Sequence, residues 1–369
     1  MDDPGAVATA LTAELVGIDS VNPGLVPGAA GERRIVVHLR DRLDRAGFAT
    51  TVVPSAGPGD RPSLVAVPPG PAGRPTVLLN GHLDTVGVTG MARPFAPRVD
   101  GDRLSGRGAA DMKGGVAALV TAAEGLVDGP VRAVLALVAD EEDASAGTQA
   151  VLAALPDLGV RPDVCVVGEP TDLALARTLR GFAVLRVRFT GRAAHSSQRD
   201  LGVDAIAHLG RFLAAVEDRA GAVRAGGGEL MVTVVRGGTS PFVVADAAEC
   251  LVERRTVPGE DSASALAEVR ALLAPDWAAE VDLVAAREPW QLDDEGPAAD
   301  LADALGGALG TGRTLDAPYW MEAALWQQVC PALVCGPSGG GLHAVDEWVD
   351  LRQVRAFTTA LLQVLPRVR

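Results

Sequence analysis

Lysine is almost missing from this sequence of 369 residues: Lys113 stands alone, and every other cation among the 33 basic residues is an arginine. Acidic residues number 47, which leaves a formal net charge of -14. No basic stripe is present to displace counter-ions from a phosphate backbone, so no nucleic-acid partner is expected. Long apolar runs are missing too. Nothing approaches the roughly 20 residues a membrane-crossing helix needs, and no membrane partner is expected. The start, Met1-Asp2-Asp3-Pro4, is acidic and lacks the basic opening of a secretory signal. Aromatic residues make up 4%, with Tyr319 the one tyrosine, so the core must be built mostly from Ala, Val and Leu. The four cysteines, Cys165, Cys250, Cys330 and Cys335, lack the C-x-x-C spacing of a structural zinc site. Buried free thiols in a reducing cytoplasm are expected.

What the chain does have is 48% hydrophobic residues, 43 glycines and 25 prolines. That composition suits an α/β protein with many tight turns, and the length suits two domains. Ile35, Leu39 and Leu43 stand four apart before Gly47, the signature of an amphipathic helix and its stop. Strands are expected at 51–53, 63–67, 76–80, 131–139 and 164–167, with helices at 113–125 and 148–154. This alternation is that of a mostly parallel sheet. From Phe182 to Phe189 apolar and polar residues alternate strictly, as in a strand with one solvated face. A helix at 203–216, strands at 230–235 and 248–254, a helix at 262–273 and a strand at 279–284 follow. The order βαββαβ fits a ferredoxin-like sandwich. A helix at 299–309, a strand at 332–335 and a helix at 351–365 then restore the first rhythm. The expected fold is therefore an α/β catalytic domain in two pieces, 1–177 and 289–369, with a ferredoxin-like lid or dimerisation domain inserted over 178–288.

Five short stretches place metal-ligand residue types at the ends of expected strands or in glycine-rich loops, where open α/β sheets carry their sites. In Asn80-Gly81-His82-Leu83-Asp84, positions i and i+2 share a face, so Asp84 can orient the imidazole of His82. A surface His beside an Asp is also common. Asp111, in Gly106-Arg107-Gly108-Ala109-Ala110-Asp111, stands just before a helix and suits an N-cap as well as a ligand. Asp140-Glu141-Glu142-Asp143 crowds four carboxylates behind an apolar strand, which calls for a cation or a proton. Glu169 closes another strand, and Gly339-Gly340-Gly341-Leu342-His343 delivers a histidine. Two His and at least three carboxylates are the donor set that two divalent ions sharing one carboxylate require.

These stretches, GHLDTV, GRGAADMKGG, ADEED, GEPT and GGGLHAVDEWV, resemble the M20 metallopeptidase family in order and spacing over essentially the whole chain. The family includes acetylornithine deacetylase, succinyl-diaminopimelate desuccinylase, aminoacylase and glutamate carboxypeptidase. The resemblance implies that Asp111 bridges two Zn²⁺ ions, with Co²⁺ or Mn²⁺ as substitutes. His82 and Glu169 would complete one ion's ligands, Glu142 and His343 the other's. Glu141 would be the general base of a metal-bridging hydroxide attack, and Asp84 would orient His82. The implied His195, in Gly191-Arg192-Ala193-Ala194-His195, would steady the developing oxyanion, often from the partner subunit of a homodimer. Arg255 resembles the arginine that grips a substrate carboxylate. The implied reaction is removal of the acyl group from an N-acyl amino acid. A metallo-carboxypeptidase or dipeptidase, cleaving a short peptide, is the alternative, and a non-catalytic amino-acid-binding relative a further one.

Two departures bear on the substrate. Phe242 stands where many relatives have Asn, which points to a substrate less polar than acetylornithine. Met321-Glu322 replaces a common Ser/Thr-Asp pair, so the surroundings of the metal ligands or the pocket there are expected to be rebuilt; Tyr319 and Trp320 beside it suit core packing as well as a pocket lining. His38 and His208 are read as structural or surface residues.

Overall fold

The computed structural model describes residues 3–57, 61–71 and 73–369. Met1 and Asp2, on which the reading of the N-terminus rests in part, lie outside the described residues, as does part of the Pro/Gly-rich loop before Arg61. The chain forms two units. The first runs through Arg177 and resumes over Leu292–Leu315 and Met321–Arg369; the second is Thr178–Gln291 with the short stretch Asp316–Trp320.

In the first unit, α1 (Pro4–Val16) is capped by the Asp3 carboxylate, which accepts from the Gly5 N–H. No periodicity announces this helix, because its residues are apolar on nearly every face. α2 (Arg33–Arg45) buries Ile35, Leu39 and Leu43, the stripe expected from their spacing. The strands β1 (Ala49–Ser55) and β2 (Arg61–Val67) pair antiparallel. β3 (Thr76–His82) is buried at every position, as a central strand covered on both faces must be. α3 (Gly114–Gly125), β4 (Arg132–Val138), α4 (Ala146–Ala154) and β5 (Val164–Val167) follow.

The second unit contains β6 (Gly181–Thr190), α5 (Ala205–Ala225), β7 (Glu229–Gly237), β8 (Ala247–Thr256), α6 (Ser262–Ala271) and β9 (Ala279–Arg287). Its sheet has the order β7-β8-β6-β9 with every junction antiparallel, a ferredoxin-like arrangement. Ala183, Leu185, Val187 and Phe189 are buried while their neighbours are not, so the alternation in β6 is real. That face packs on Leu209, Phe212 and Val216 of α5 and Val269 of α6. α5 runs nine residues beyond the expected end at Val216, because Ala220 and Val223 prolong its buried stripe until Gly226.

Back in the first unit, α7 (Pro297–Leu309), β10 (Ala332–Val334) and α8 (Leu351–Val364) complete the fold. The main sheet has the order β1-β2-β4-β3-β5-β10. The junctions among β4, β3, β5 and β10 are parallel, so the mostly parallel sheet expected from the sequence is present, while β1 and β2 join it antiparallel. α3 packs on β3 and β4, with α1 and α8 against α3. The parallel strands β3, β4 and β5 are neighbours and point the same way, so the residues that follow them emerge at one end of the sheet. All four cysteines are buried and free. Among the described residues, no helix is long and apolar enough to cross a membrane.

Candidate metal centre

His82 closes β3 with its side chain wholly buried. Its Nδ1 lies 3.0 Å from the backbone carbonyl of Asp84. A carbonyl can only accept, so Nδ1 carries a proton, and Nε2 faces the cleft. The Asp84 carboxylate stands farther away, 3.6 Å from Nδ1. It is held elsewhere: it accepts from the Asn22 side-chain amide (2.7 Å) and from the N–H groups of Glu141 (3.1 Å) and Glu142 (3.2 Å). Asp84 therefore orients His82 mainly through its backbone and uses its carboxylate to set the turn carrying the two glutamates.

Asp111 sits in a loop after Gly108, whose φ of 76° lies in the left-handed region that glycine tolerates. Glu347 holds this loop. Its buried carboxylate accepts from the N–H groups of Gly108 (2.9 Å), Ala110 (3.0 Å) and Asp111 (3.1 Å), and from Arg107 at 2.6 Å. The Asp111 oxygens thereby face two imidazoles: Oδ1 is 3.0 Å from Nε2 of His82 and Oδ2 is 3.3 Å from Nε2 of His343. Glu142 meets the same His343 nitrogen at 3.0 Å, and Glu169 stands 3.9 Å from His82. α3 can lie this near because Gly115 has no side chain; a Cβ there would fall 2.1 Å from the carbonyl oxygen of Gly168.

The electrostatics are those of a crowded acidic pocket. Burial and the neighbouring charge of Glu169 push the Glu141 carboxyl well above its usual range. Burial also raises Glu142, and takes Glu169 to about 8. Burial works against Asp111 as well, but hydrogen bonds from His343 and His82 outweigh it and hold that carboxyl below its ordinary value. Contacts with Asp111 and Glu142 raise His343 to about 10. The imidazoles supply positive charge to a site short of it, which is the task a divalent cation performs. Ligand atoms of His82, Asp111 and Glu142 all lie within 4.8 Å of one another, as do those of His82, Glu141 and Glu169. Imidazole nitrogens and carboxylate oxygens suit zinc and its first-row neighbours. The donor set fits metal.

Behind the cluster runs a buried polar chain that local spacing in the sequence does not disclose. The Asn22 amide bridges Asp84 and Asp140, at 2.7 and 3.1 Å. Arg61 joins Asp140 at 2.8 Å to Glu32 at 2.6 Å, all three being buried. Lys113 is also buried, with Nζ donating to the Ile18 carbonyl at 2.8 Å, and burial pulls its pKa down to about 7. Met321 and Glu322 are buried; burial takes the Glu322 carboxyl up to about 7, and its charge is felt by Glu141 and Glu169.

Within the second unit, His195 is exposed and its Nδ1 accepts from the Ser197 N–H at 3.2 Å. The proton of the neutral ring is then on Nε2, which is left as a donor. Phe242 comes close to that loop: its carbonyl accepts from the Ser196 N–H at 3.0 Å, and the residue is 67% exposed. Arg255 on β8 lies over the ring of Phe182 at 5.4 Å and pairs with Glu253 at 2.5 Å. His208 stacks on Trp277, and His38 meets Glu14 at 3.2 Å.

A family model, peptidase family M20/M25/M40, matches residues 78–367. The chain belongs to this family. Its M20 relatives are metallo-hydrolases of amide bonds, and this chain is an enzyme of that kind. It is 32% identical to the N-acetyl-L-citrulline deacetylase of Xanthomonas campestris pv. campestris, over 95% of each chain. It is 31% identical to the succinyl-diaminopimelate desuccinylase of Dinoroseobacter shibae, over 99% of each. In fold it is similar to the M20 family metallo-carboxypeptidase of Sulfolobus solfataricus, with a TM-score of 0.76, 16% identity and full coverage of both chains.

Proposed function

We propose that this M20 enzyme removes the acyl group from an N-acyl amino acid, using two divalent ions, zinc by default. The observation that carries this reading is the Asp111 carboxylate, with a different imidazole against each oxygen. His82 and Glu169 would hold one ion, Glu142 and His343 the other, with Asp111 between them. Bound there, the ions would lower the pKa of the attacking water and polarise the amide carbonyl. Glu141 takes the proton of the attacking water and delivers it to the leaving nitrogen, so that C–N cleavage yields a carboxylate and an amine. Asp84 keeps His82 in the required tautomer and holds the Glu141–Glu142 turn.

In the second unit, the Nε2–H of His195 is suited to donating to the developing oxyanion, and Arg255 to gripping the substrate carboxylate. We assign the second unit, with 178–288 as its core, to the role of lid and homodimer contact, tested by sedimentation of the intact protein. Phe242 supports a less polar acyl or side-chain group than that of acetylornithine. The buried free thiols support a cytoplasmic setting.

The test is amine release by zinc- or cobalt-loaded protein from a panel of N-acetyl, N-succinyl and N-formyl amino acids and dipeptides. Apolar N-acyl amino acids should be preferred. Glu141→Ala should keep its metal and lose about 10²–10⁴-fold in turnover. Release from dipeptides alone would move the assignment to a peptidase, and a Glu141→Ala protein turning over normally would reject the mechanism.

A further inference from the structure

The first unit has a second concentration of charge, of the opposite sign, at the other end of its sheet. Thr76 and Arg132 face each other where β3 and β4 begin, and His82 and Val138 where they end. At ~3.3 Å per residue, this start is roughly 20 Å from the metal cluster. A cavity of about 420 Å³ opens here, lined by Arg74, Thr76, Arg132, Arg161, Asp163 and Arg369 among others. In a chain of net charge -14 this is an unusual concentration of guanidinium groups.

Arg132 is the informative residue. Four arginines are buried among the described residues: Arg61, Arg107, Arg132 and Arg254. Three have carboxylates against them: Arg61 meets Glu32 at 2.6 Å, Arg107 meets Glu347 at 2.6 Å, and Arg254 meets Glu260 and Glu268 at 2.7 Å. Arg132 has none. It is 7% exposed; among the described residues its one side-chain hydrogen bond is a long 3.5 Å approach of Nη1 to the Thr76 hydroxyl, and its Nε has no partner. Arg74 is committed elsewhere: Nη1 donates to the Gly129 carbonyl at 2.6 Å and Nη2 to that of Pro69, and only its Nε is left without a partner. Asp163, the side-chain carboxylate of the wall, accepts from the Thr76 N–H at 2.7 Å. A buried guanidinium left without counter-charge is strongly disfavoured, and an anion in the cavity removes that penalty.

We propose that this cavity binds an oxyanion of the phosphate type, with Arg132 as the buried anchor and Arg161 closing on it. Planar guanidinium forks match the oxygens of a phosphoryl group, and several of them together favour a dianion. The cavity is in the size range of small-molecule pockets, so it admits free phosphate or the phosphoryl end of a phosphorylated metabolite.

Calorimetric titration of the metal-loaded full chain with inorganic phosphate, and separately with glycerol 3-phosphate, tests this. Saturable binding is expected, weakened about tenfold or more in both Arg132→Gln and Arg161→Ser. Tighter binding of the ester would identify a phosphorylated metabolite as the source, and tighter binding of free phosphate the ion itself. Arg161 is exposed, so its variant decides the matter if Arg132→Gln does not fold. No saturable binding of either probe would overturn the proposal. So would binding that both variants retain, which is how phosphate held at the metal centre would behave.

Discussion

Nε2 of His82 and Nε2 of His343 approach opposite oxygens of one carboxylate, that of Asp111, at 3.0 and 3.3 Å. One histidine ends a central strand and the other stands in a glycine-rich loop far along the chain. His343 is held in the left-handed region, with φ at 60°, so its backbone conformation as well as its ring is set by that loop. That placement of an imidazole at each oxygen is what the proposed sharing of Asp111 by two ions rests on.

Asp111→Asn keeps the shape of that side chain and removes its charge. The variant should lose about tenfold or more in metal affinity, because both proposed ions share the lost charge. Elemental analysis after dialysis against graded chelator would check this. Wild-type metal retention would show that Asp111 does not bridge.

Asn22 touches none of the proposed ligands directly, yet its amide joins Asp84 to Asp140. Asn22→Ala should let the two carboxylates repel and loosen the turn that Asp84 anchors. Metal affinity is expected to fall about 10–100-fold, with an unchanged ligand set. Competition with a chromogenic chelator reads this directly.

Glu347 is the clamp on the Asp111 loop. Glu347→Ala would leave Arg107 buried without its partner and three N–H groups without their acceptor. A loss of about 3–5 kcal/mol in unfolding free energy follows from breaking a buried pair on one side. Urea denaturation at constant metal concentration measures it, and a loss under about 1 kcal/mol would mean the clamp is dispensable.

Lys113 carries a pH signature. Burial lowers its folded pKa to about 7, below the ordinary lysine value. Between that value and the unfolded one, the unfolded chain holds a proton that the folded chain has released. Its contribution to stability therefore rises with pH from about 7 upward and is constant below. The denaturation midpoint of wild type, minus that of Lys113→Met, should increase between about pH 7 and about pH 9. A flat difference would show that the amine is charged in the folded state.

The strands and amphipathic helices could be read from spacing alone where one face is buried. Ile35, Leu39 and Leu43 mark α2, and the alternation from Ala183 to Phe189 marks β6. Helix α1 escaped that reading because a helix apolar all round has no stripe to detect. The far half of α5 escaped it too, since the small Ala220 carries little signal. Carboxylates placed just behind apolar strands stood out at Glu141, Glu142 and Glu169, because parallel strands deliver their ends to one place.

Other features could not be read locally. Glu347 closes on Gly108, Ala110 and Asp111 from far along the chain, and Asn22, Arg61 and Glu32 meet behind the site through the packing of α2 and β2. Nothing in the residues beside Arg132 shows that its guanidinium has no carboxylate. For Asp84, sequence proximity indicated His82 as its neighbour, but only the folded chain directs its carboxylate to Asn22 and two backbone amides. Residue type and strand-end position were enough to mark the candidate ligands, because local geometry governs both. Which groups hold those ligands in place is a matter of hydrogen bonds between distant segments, and these are decided only when the layers pack.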